Sequence, residues 1–359
     1  MQSTDNRRRS GPPGDHSRAL REVFRMLADQ HPRDFREQSF RFLGRYLHLH
    51  TVGDRLHRIL SAALAHLAVR PKMRGKNDLS IYMWDTRLTG CMHPYRHLSG
   101  SPDDGDSIEV SEDNIKVSDS HGQWAAELDR TKHEIVGCMN LAGPRPLLHD
   151  FGKPLQTLIS VWARDVGVPL IHAGMVALNK KGLILGGSGG AGKSTTALAC
   201  AAAGFDFLGD DRIGLEARES GFVGHSLYNS VLFDKGALSR FPVLQPHVVP
   251  PEHPSRERKP LVFLHAVDSC RFSASAPVRA VAIPRVTDRK NSGFDRAKPI
   301  EALRAVAPSS LILPVGPGSL GMRRLSAMVQ AVPCFWFDLG KDIDHVVACA
   351  HRILKEAGK

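Results

Sequence analysis

Pro169-Leu170-Ile171-His172-Ala173-Gly174-Met175-Val176-Ala177-Leu178 is an apolar run, Asn179-Lys180-Lys181 a polar turn, and Gly182-Leu183-Ile184-Leu185 a second apolar run. Gly187-Ser188-Gly189-Gly190-Ala191-Gly192-Lys193-Ser194 follows almost at once. Two apolar runs joined by turn residues predict a hairpin, so the glycine-rich stretch begins at a strand end. Past it, Ala197, Leu198, Ala199 and Ala202 predict a helix that starts near Lys193 and stops at Gly204. A strand over Phe205 to Leu208 comes next and ends in Gly209-Asp210-Asp211.

Residues 187–194 fit the pattern GxxxxGK[ST], here between a predicted strand and a predicted helix, which is the context that gives the pattern its meaning. Gly187, Ser188, Gly189, Gly190, Ala191 and Gly192 let the backbone turn its N–H groups inward, and the helix N-terminus adds positive potential. That is chemistry for phosphate, so a nucleoside triphosphate, ATP with Mg2+, is the expected ligand. Lys193 is expected at the β- and γ-phosphates and the Ser194 hydroxyl on magnesium, with Thr195 and Thr196 extending the first helical turn. The strand-end pair Asp210 and Asp211 suits either of two tasks: holding magnesium, or accepting the proton of an attacking hydroxyl.

Asp210 lies only 17 residues after Lys193, leaving little room for a nucleotide-sensing switch between them. The loop is also entered from an antiparallel hairpin, whereas the common nucleotide-hydrolase loop follows a parallel strand of a doubly wound sheet. A different α/β fold carrying the same loop is expected. His172 lies on the strand before the loop, where a packed structural role and a chemical one are both open.

Upstream, Phe151 to Val166 reads as one helix. Leu79–Asp85, Ser107–Val110, Asn114–Val117, Trp124–Leu128 and Glu134–Met139 read as short strands, with breaks such as Ser99 to Asp106 rich in Gly, Pro, Asp and Ser. They predict a small, mostly antiparallel β module. Before it, three groups share helical spacing: Leu20, Val23, Phe24 and Leu27; Phe40, Leu43 and Leu47; and Leu56, Ile59, Leu60, Ala63, Leu64 and Leu67. Met1 to His16 is polar, carries Arg7, Arg8 and Arg9, and is expected to be a mobile tail. Downstream, His225 to Ser230 and Arg256 to Lys259 are polar or basic stretches that either meet nucleotide or substrate or form structural loops. Pro299–Ala307 and Asp344–Ala357 read as helices without chemistry.

The 359 residues suffice for two domains. With no long apolar run and no signal-peptide core, the chain is expected to be soluble and cytoplasmic, without membrane insertion. Six scattered cysteines form no CxxC, which argues against a zinc site or a disulfide framework. Net charge is +11, but residues 1–76 hold sixteen Lys/Arg against seven Asp/Glu, +9, leaving +2 for the remaining 283. The basicity belongs to the N-terminal segment, either as a solvated face or as a docking surface for an acidic partner.

At Ile171-His172, Gly187 to Ser194, Gly204 and Asp210-Asp211, the sequence resembles the HPr kinase/phosphorylase family, whose core is related to phosphoenolpyruvate carboxykinases. The order and spacing are alike over about Pro169 to Glu216, and the likeness extends over most of 150–357. Shortened relatives that phosphorylate a lasso-peptide precursor on serine are more similar still. The resemblance implies an α/β P-loop core with a mixed sheet over 146–359, behind a helical and β module over 17–145 and the tail 1–16. It implies transfer of the γ-phosphate of ATP to a serine hydroxyl of a peptide or protein. Asp210 would then be general base, with Lys193 on the phosphates. Ser194 would ligate magnesium, Asp211 would act on that ion or its waters, and His172 would support the base. A homo-oligomer is also implied. No counterpart exists of the family's later glycine-rich signature, so neither HPr as acceptor nor reverse phosphorolysis is implied. The rival expectation is a nucleotide-binding regulatory protein with little transferase activity; a carboxykinase is the third.

Overall fold

The computed structural model describes residues 13–71, 73–92, 107–119, 123–142, 148–233, 235–251, 259–311 and 318–358. Residues 1–12 of the expected tail, the break 99–106 and residues 256–258 lie outside them. In chain order the elements begin with α1 (Pro13–Gln30), β1 (Phe35–Phe42), β2 (Arg45–Val52), α2 (Asp54–Ala62), β3 (Ala68–Val69), β4 (Leu79–Asp85) and α3 (Thr86–Thr89). They continue with β5 (Ser107–Val110), β6 (Asn114–Ser118), β7 (Trp124–Asp129), β8 (Glu134–Met139), α4 (Leu148–Gly152), α5 (Gln156–Asp165), β9 (Leu170–Ile171), β10 (Ala173–Leu178), β11 (Lys181–Gly186) and α6 (Lys193–Ala202). The remainder is β12 (Asp206–Gly209), β13 (Ile213–Arg218), β14 (Gly221–His225), β15 (Ser230–Leu232), α7 (Lys235–Leu238), β16 (Val248–Val249), β17 (Leu261–Phe263) and β18 (Arg271–Phe272). Last come β19 (Ser275–Val286), β20 (Gly293–Ala297), α8 (Pro299–Leu311), α9 (Gly318–Ala331), β21 (Cys334–Leu339) and α10 (Ile343–Glu356).

The chain forms two units, one from the described residues of 1–37, 48–57 and 79–143, the other from those of 38–47, 58–78 and 144–359. In the first, β4 and β8 pair in parallel while β8, β7, β6 and β5 follow antiparallel, close to the strands expected. Leu20, Phe24 and Leu27 of α1 bury against Val52, Tyr82, Trp84, Val136 and Cys138. Helix α1 starts at Pro13, so residues 13–16 belong to a helix and not to a tail.

The second amphipathic group is not a helix. Phe40 lies on β1 and Leu47 on β2, and Leu43 and Gly44 turn between them with φ of 51° and 76°. Left-handed conformations at both central residues are what a two-residue hairpin turn requires, and Gly44 is the signal that the helical spacing masked.

The second unit is a mixed sheet between two pairs of helices. Along β10, β11 and β19 alternate side chains go to opposite faces, as strand geometry dictates. Val176, Leu183, Leu185, Ala280 and Ala282 pack with Ala197, Leu198 and Cys200 of α6 and with Val346, Cys349 and Ile353 of α10. Met175, Ile184, Val281 and Ile283 pack with Val306 of α8 and with Leu325 and Met328 of α9. Strand β11 is antiparallel to β10 but parallel to β19, which is in turn parallel to β21. The glycine-rich loop thus leaves a strand with both an antiparallel and a parallel neighbour. Strand β19 also divides the sheet, since residues 275–277 pair with β14 and residues 281–286 with β21.

The expected helix over Phe151 to Val166 is two helices. Pro154 lacks an N–H and disfavours helical geometry at Lys153, and Leu155 has φ 54°. The break sets Lys153 apart from both helices.

Candidate functional site

His172 and the two aspartates meet because one antiparallel ladder opens between them. Ile171 lies opposite Ile213, and Met175 opposite Gly209. Between these pairs, residues 172–174 and 210–212 are not paired with each other, while Ala173 and Gly174 pair with β11 on their other side. The His172 N–H donates to Ser310 Oγ (3.0 Å) on α8, and His172 Nε2 lies 3.1 Å from Asp211 Oδ1. A side chain at Gly174 would stand 3.1 Å from the Asp210 carbonyl oxygen, so the close approach of the two segments suits glycine.

The loop after β11 brings the other candidates to the same place. Gly187, Gly190 and Gly192 have φ of 147°, 80° and 97°, conformations that glycine adopts without a Cβ penalty. Lys193, 7 % exposed, donates from Nζ to the carbonyls of Gly187 (2.8 Å) and Ser188 (2.9 Å). The Thr196 hydroxyl donates to the Gly192 carbonyl (2.9 Å) and secures the first turn of α6. Ser194 hydrogen-bonds to the Asp210 carboxylate. A cleft of about 230 Å³ opens over Gly190, Gly192, Lys193, Ser194 and Thr195, and Arg240 and Lys259 also line it.

The two aspartates differ sharply. Asp211 faces two cations and a ring nitrogen: Lys153 Nζ bonds to Oδ2, Arg212 lies 3.2 Å from that same oxygen, and His172 meets Oδ1. Burial alone would raise its pKa, but Lys153, Arg212 and His172 outweigh burial and hold it well below the usual carboxylate range. Asp210 is 6 % exposed, and its Oδ1 has no hydrogen-bond partner among the described residues. Burial, with Asp211 adding to it against the Ser194 hydrogen bond, pushes Asp210 up to about 6. Two adjacent carboxylates therefore hold protons very differently.

Burial also lowers His172 to about 4, against the pull of Asp211 and with Arg212, Lys193 and Lys153 adding to the fall. The ring is neutral at pH 7, so Nε2 carries the hydrogen facing Asp211 and Nδ1 keeps its lone pair. Lys193 is lowered by burial too.

Lys153 and Arg212 belong to the site but were not read from the sequence. The Gly152 carbonyl accepts from Ser230 Oγ (2.5 Å), and the Pro154 carbonyl accepts from the buried Tyr228 hydroxyl (3.0 Å), so Lys153 sits between two anchored peptides. Those anchors settle the stretch 225–230, whose other members are also structural. His225 bonds to Glu216 (2.8 Å), Ser226 to His66 (2.8 Å), and Asn229 Nδ2 donates to the carbonyls of Ala62 and Ala63 (2.9 Å each). The helix-breaking Lys153-Pro154 and the arginine directly after Asp210-Asp211 were the available signals. Lys259 of the basic stretch 256–259 does reach the cleft.

A glycine-rich turn, a buried lysine, a serine hydroxyl and one carboxylate oxygen without a partner among the described residues suit a polyanion accompanied by a hard cation. Among the described residues no group of three or more His, Cys, Asp or Glu forms a ready-made metal centre, and four of the six cysteines are buried as free thiols. Among the described residues, no helix is long and apolar enough to cross a membrane.

No protein-family model matches the chain, and no curated protein matches it. Among solved structures there is a distant likeness to the HPr(Ser) kinase/phosphatase from Coxiella burnetii, at 14% identity and a TM-score of 0.30, covering 53% of this chain and 93% of that one.

Proposed function

We propose that this protein transfers the γ-phosphate of ATP to a hydroxyl, a peptide or protein serine being the acceptor expected. The observation that carries this reading is Asp210, a buried carboxylate with an unpartnered Oδ1, beside Ser194 at the foot of a glycine-rich loop. Loop amides and Lys193 would bind the phosphates, and Arg240 and Lys259, which line the same cleft, would add positive charge. The residues fit a magnesium ion held by Ser194 Oγ. Asp211 would act on the waters of that ion, since its own oxygens already face Lys153, Arg212 and His172. Such an ion would neutralise charge on the phosphate oxygens.

Asp210 Oδ1 would take the proton of the acceptor hydroxyl. A base works best with its pKa near the working pH, and about 6 lies closer to neutrality than an ordinary aspartate does. Asp211 stays ionised and holds His172 and Lys153 in place. The basic N-terminal segment is a reasonable docking surface for an acidic acceptor.

The test uses γ-labelled ATP with magnesium and cell extract or candidate peptides. Transfer of label to serine is expected. Asp210→Asn should retain nucleotide affinity and lose roughly 10²- to 10⁴-fold in transfer, the range of a general base. Wild-type rates in that variant would remove the base assignment, and nucleotide binding without labelling of any acceptor would favour a regulatory nucleotide-binding protein.

A further inference from the structure

Beside the phosphate cleft lies a second cavity of about 200 Å³, which shares Gly192, Thr195, Arg240 and Val286 with it. Its position follows from topology. Strands β11, β19 and β21 are successive parallel neighbours, so Gly186, Val286 and Leu339 end on one side of the sheet. Open α/β sheets bind ligands outside the carboxyl ends of such strands. The segment after β11 is the glycine-rich loop; the segments after β19 and β21 form the second cavity.

That cavity is built rather than incidental. Thr287 donates from both N–H and Oγ1 to the Leu339 carbonyl (2.9 Å each), the Gly340 N–H donates to Ser292 Oγ (2.9 Å), and the Lys341 N–H to the Arg289 carbonyl (3.0 Å). At Gly340 a Cβ would stand 2.5 Å from the Lys290 carbonyl oxygen, so the two segments meet at a distance only glycine allows. The lining is apolar at Val286, Leu339, Ile343 and Val346 and polar at Thr195, Thr196, Arg240 and Thr287, with Asp288 and Lys341 facing each other at 3.7 Å. An apolar floor with polar groups around it can both cover the flat face of a small molecule and fix its orientation. Gly192 joins the two cavities, because a Cβ there would lie 2.4 Å from Leu339 Cδ1 and 3.5 Å from Val286 Cγ2.

We infer that this second cavity seats the nucleoside of the nucleotide, its flat face against Val286 and Leu339 and a ribose hydroxyl donating to Asp288. The inference rests on the kinase reading only in taking the neighbouring cleft as the triphosphate site. Val286 is largely exposed, and Asp288 fully so, so neither substitution threatens folding.

The experiment is equilibrium binding of ATP, 2′-deoxy-ATP and inorganic tripolyphosphate, each with magnesium, to the full chain. Wild type should bind ATP at least about tenfold more tightly than tripolyphosphate. Val286→Ala, which trims the floor and adds no charge beside the phosphate cleft that Val286 also lines, should reduce that advantage and change tripolyphosphate affinity by less than about twofold. Asp288→Ala should lessen the preference for ATP over 2′-deoxy-ATP by roughly fivefold or more, the scale of a hydrogen bond to a charged group. If ATP bound no more tightly than tripolyphosphate, or if Val286→Ala left the advantage of ATP unchanged, the nucleoside placement would be overturned while the phosphate site stood. If wild type bound none of the three, both readings would fall.

Discussion

Asp210 is costly to the fold at neutral pH. Its pKa in the folded protein, about 6, exceeds the 3.8 of an unperturbed aspartate, so folding favours the protonated form. The favourable contribution is fully present below about pH 4 and is lost as pH rises through about 6. Asparagine copies the protonated shape at every pH. Asp210→Asn should therefore be more stable than wild type above pH 6, by about 2–3 kcal/mol, and equally stable near pH 4. Denaturant unfolding at pH 4, 6 and 8 checks this, and equal stability at pH 8 would contradict it. A residue whose removal stabilised the fold while lowering transfer would be one kept for chemistry. Lys153 is the opposite case. Lys153→Met would leave Asp211 buried with one cation fewer, and losing one partner of a buried pair costs about 3–5 kcal/mol. Unfolding free energy at pH 7 measures it, with Arg212 and His172 reducing the loss toward the lower figure.

Among the elements, the turn into α6 is the most constrained. Gly192→Ala would place a Cβ 2.4 Å from Leu339 Cδ1 on a backbone with φ of 97°. Strain of this kind costs about 1–3 kcal/mol and shifts the loop against β21. Gly189 offers the comparison, since a Cβ there meets nothing within 4 Å. We expect Gly192→Ala to lower both thermal stability and nucleotide affinity, and Gly189→Ala to leave thermal stability nearly unchanged. Equal melting temperatures for the two variants would show that the loop tolerates a side chain where the geometry forbids one. The break between α4 and α5 has a comparable logic. Proline ends the helix, and hydroxyls from Tyr228 and Ser230 hold the two peptides around Lys153.

At the scale of the molecule, the unit that carries the site is discontinuous in sequence. Residues 38–47 and 58–78 belong to it. Phe42 stacks with Trp162 at 6.0 Å, Arg45 donates to the Val166 carbonyl at 2.9 Å, and Asn229 caps the carbonyls of Ala62 and Ala63. A fragment of residues 146–359 would leave Trp162 and Asn229 without these partners. It should melt well below the full chain or aggregate. Circular dichroism on the purified fragment decides the matter, and a cooperative transition at the full-chain temperature would mean that the two early segments are dispensable.

The glycine spacing, the lysine-serine pair and the Asp-Asp dipeptide were legible as a local pattern because each lies within a few residues of chain, where backbone geometry follows local composition. The alternation along β10 and β11 was legible for the same reason. What the aspartates do was not. That Asp211 is neutralised and Asp210 left with a bare oxygen depends on Lys153, Arg212 and His172, brought together by an opened ladder and a proline break. The hairpin at Leu43-Gly44 was likewise hidden, because its apolar spacing fits a helix as well as a strand, and only burial on a sheet selects between them. Charge and proton affinity are set by neighbours in space, and those neighbours come from up to 58 residues away along the chain.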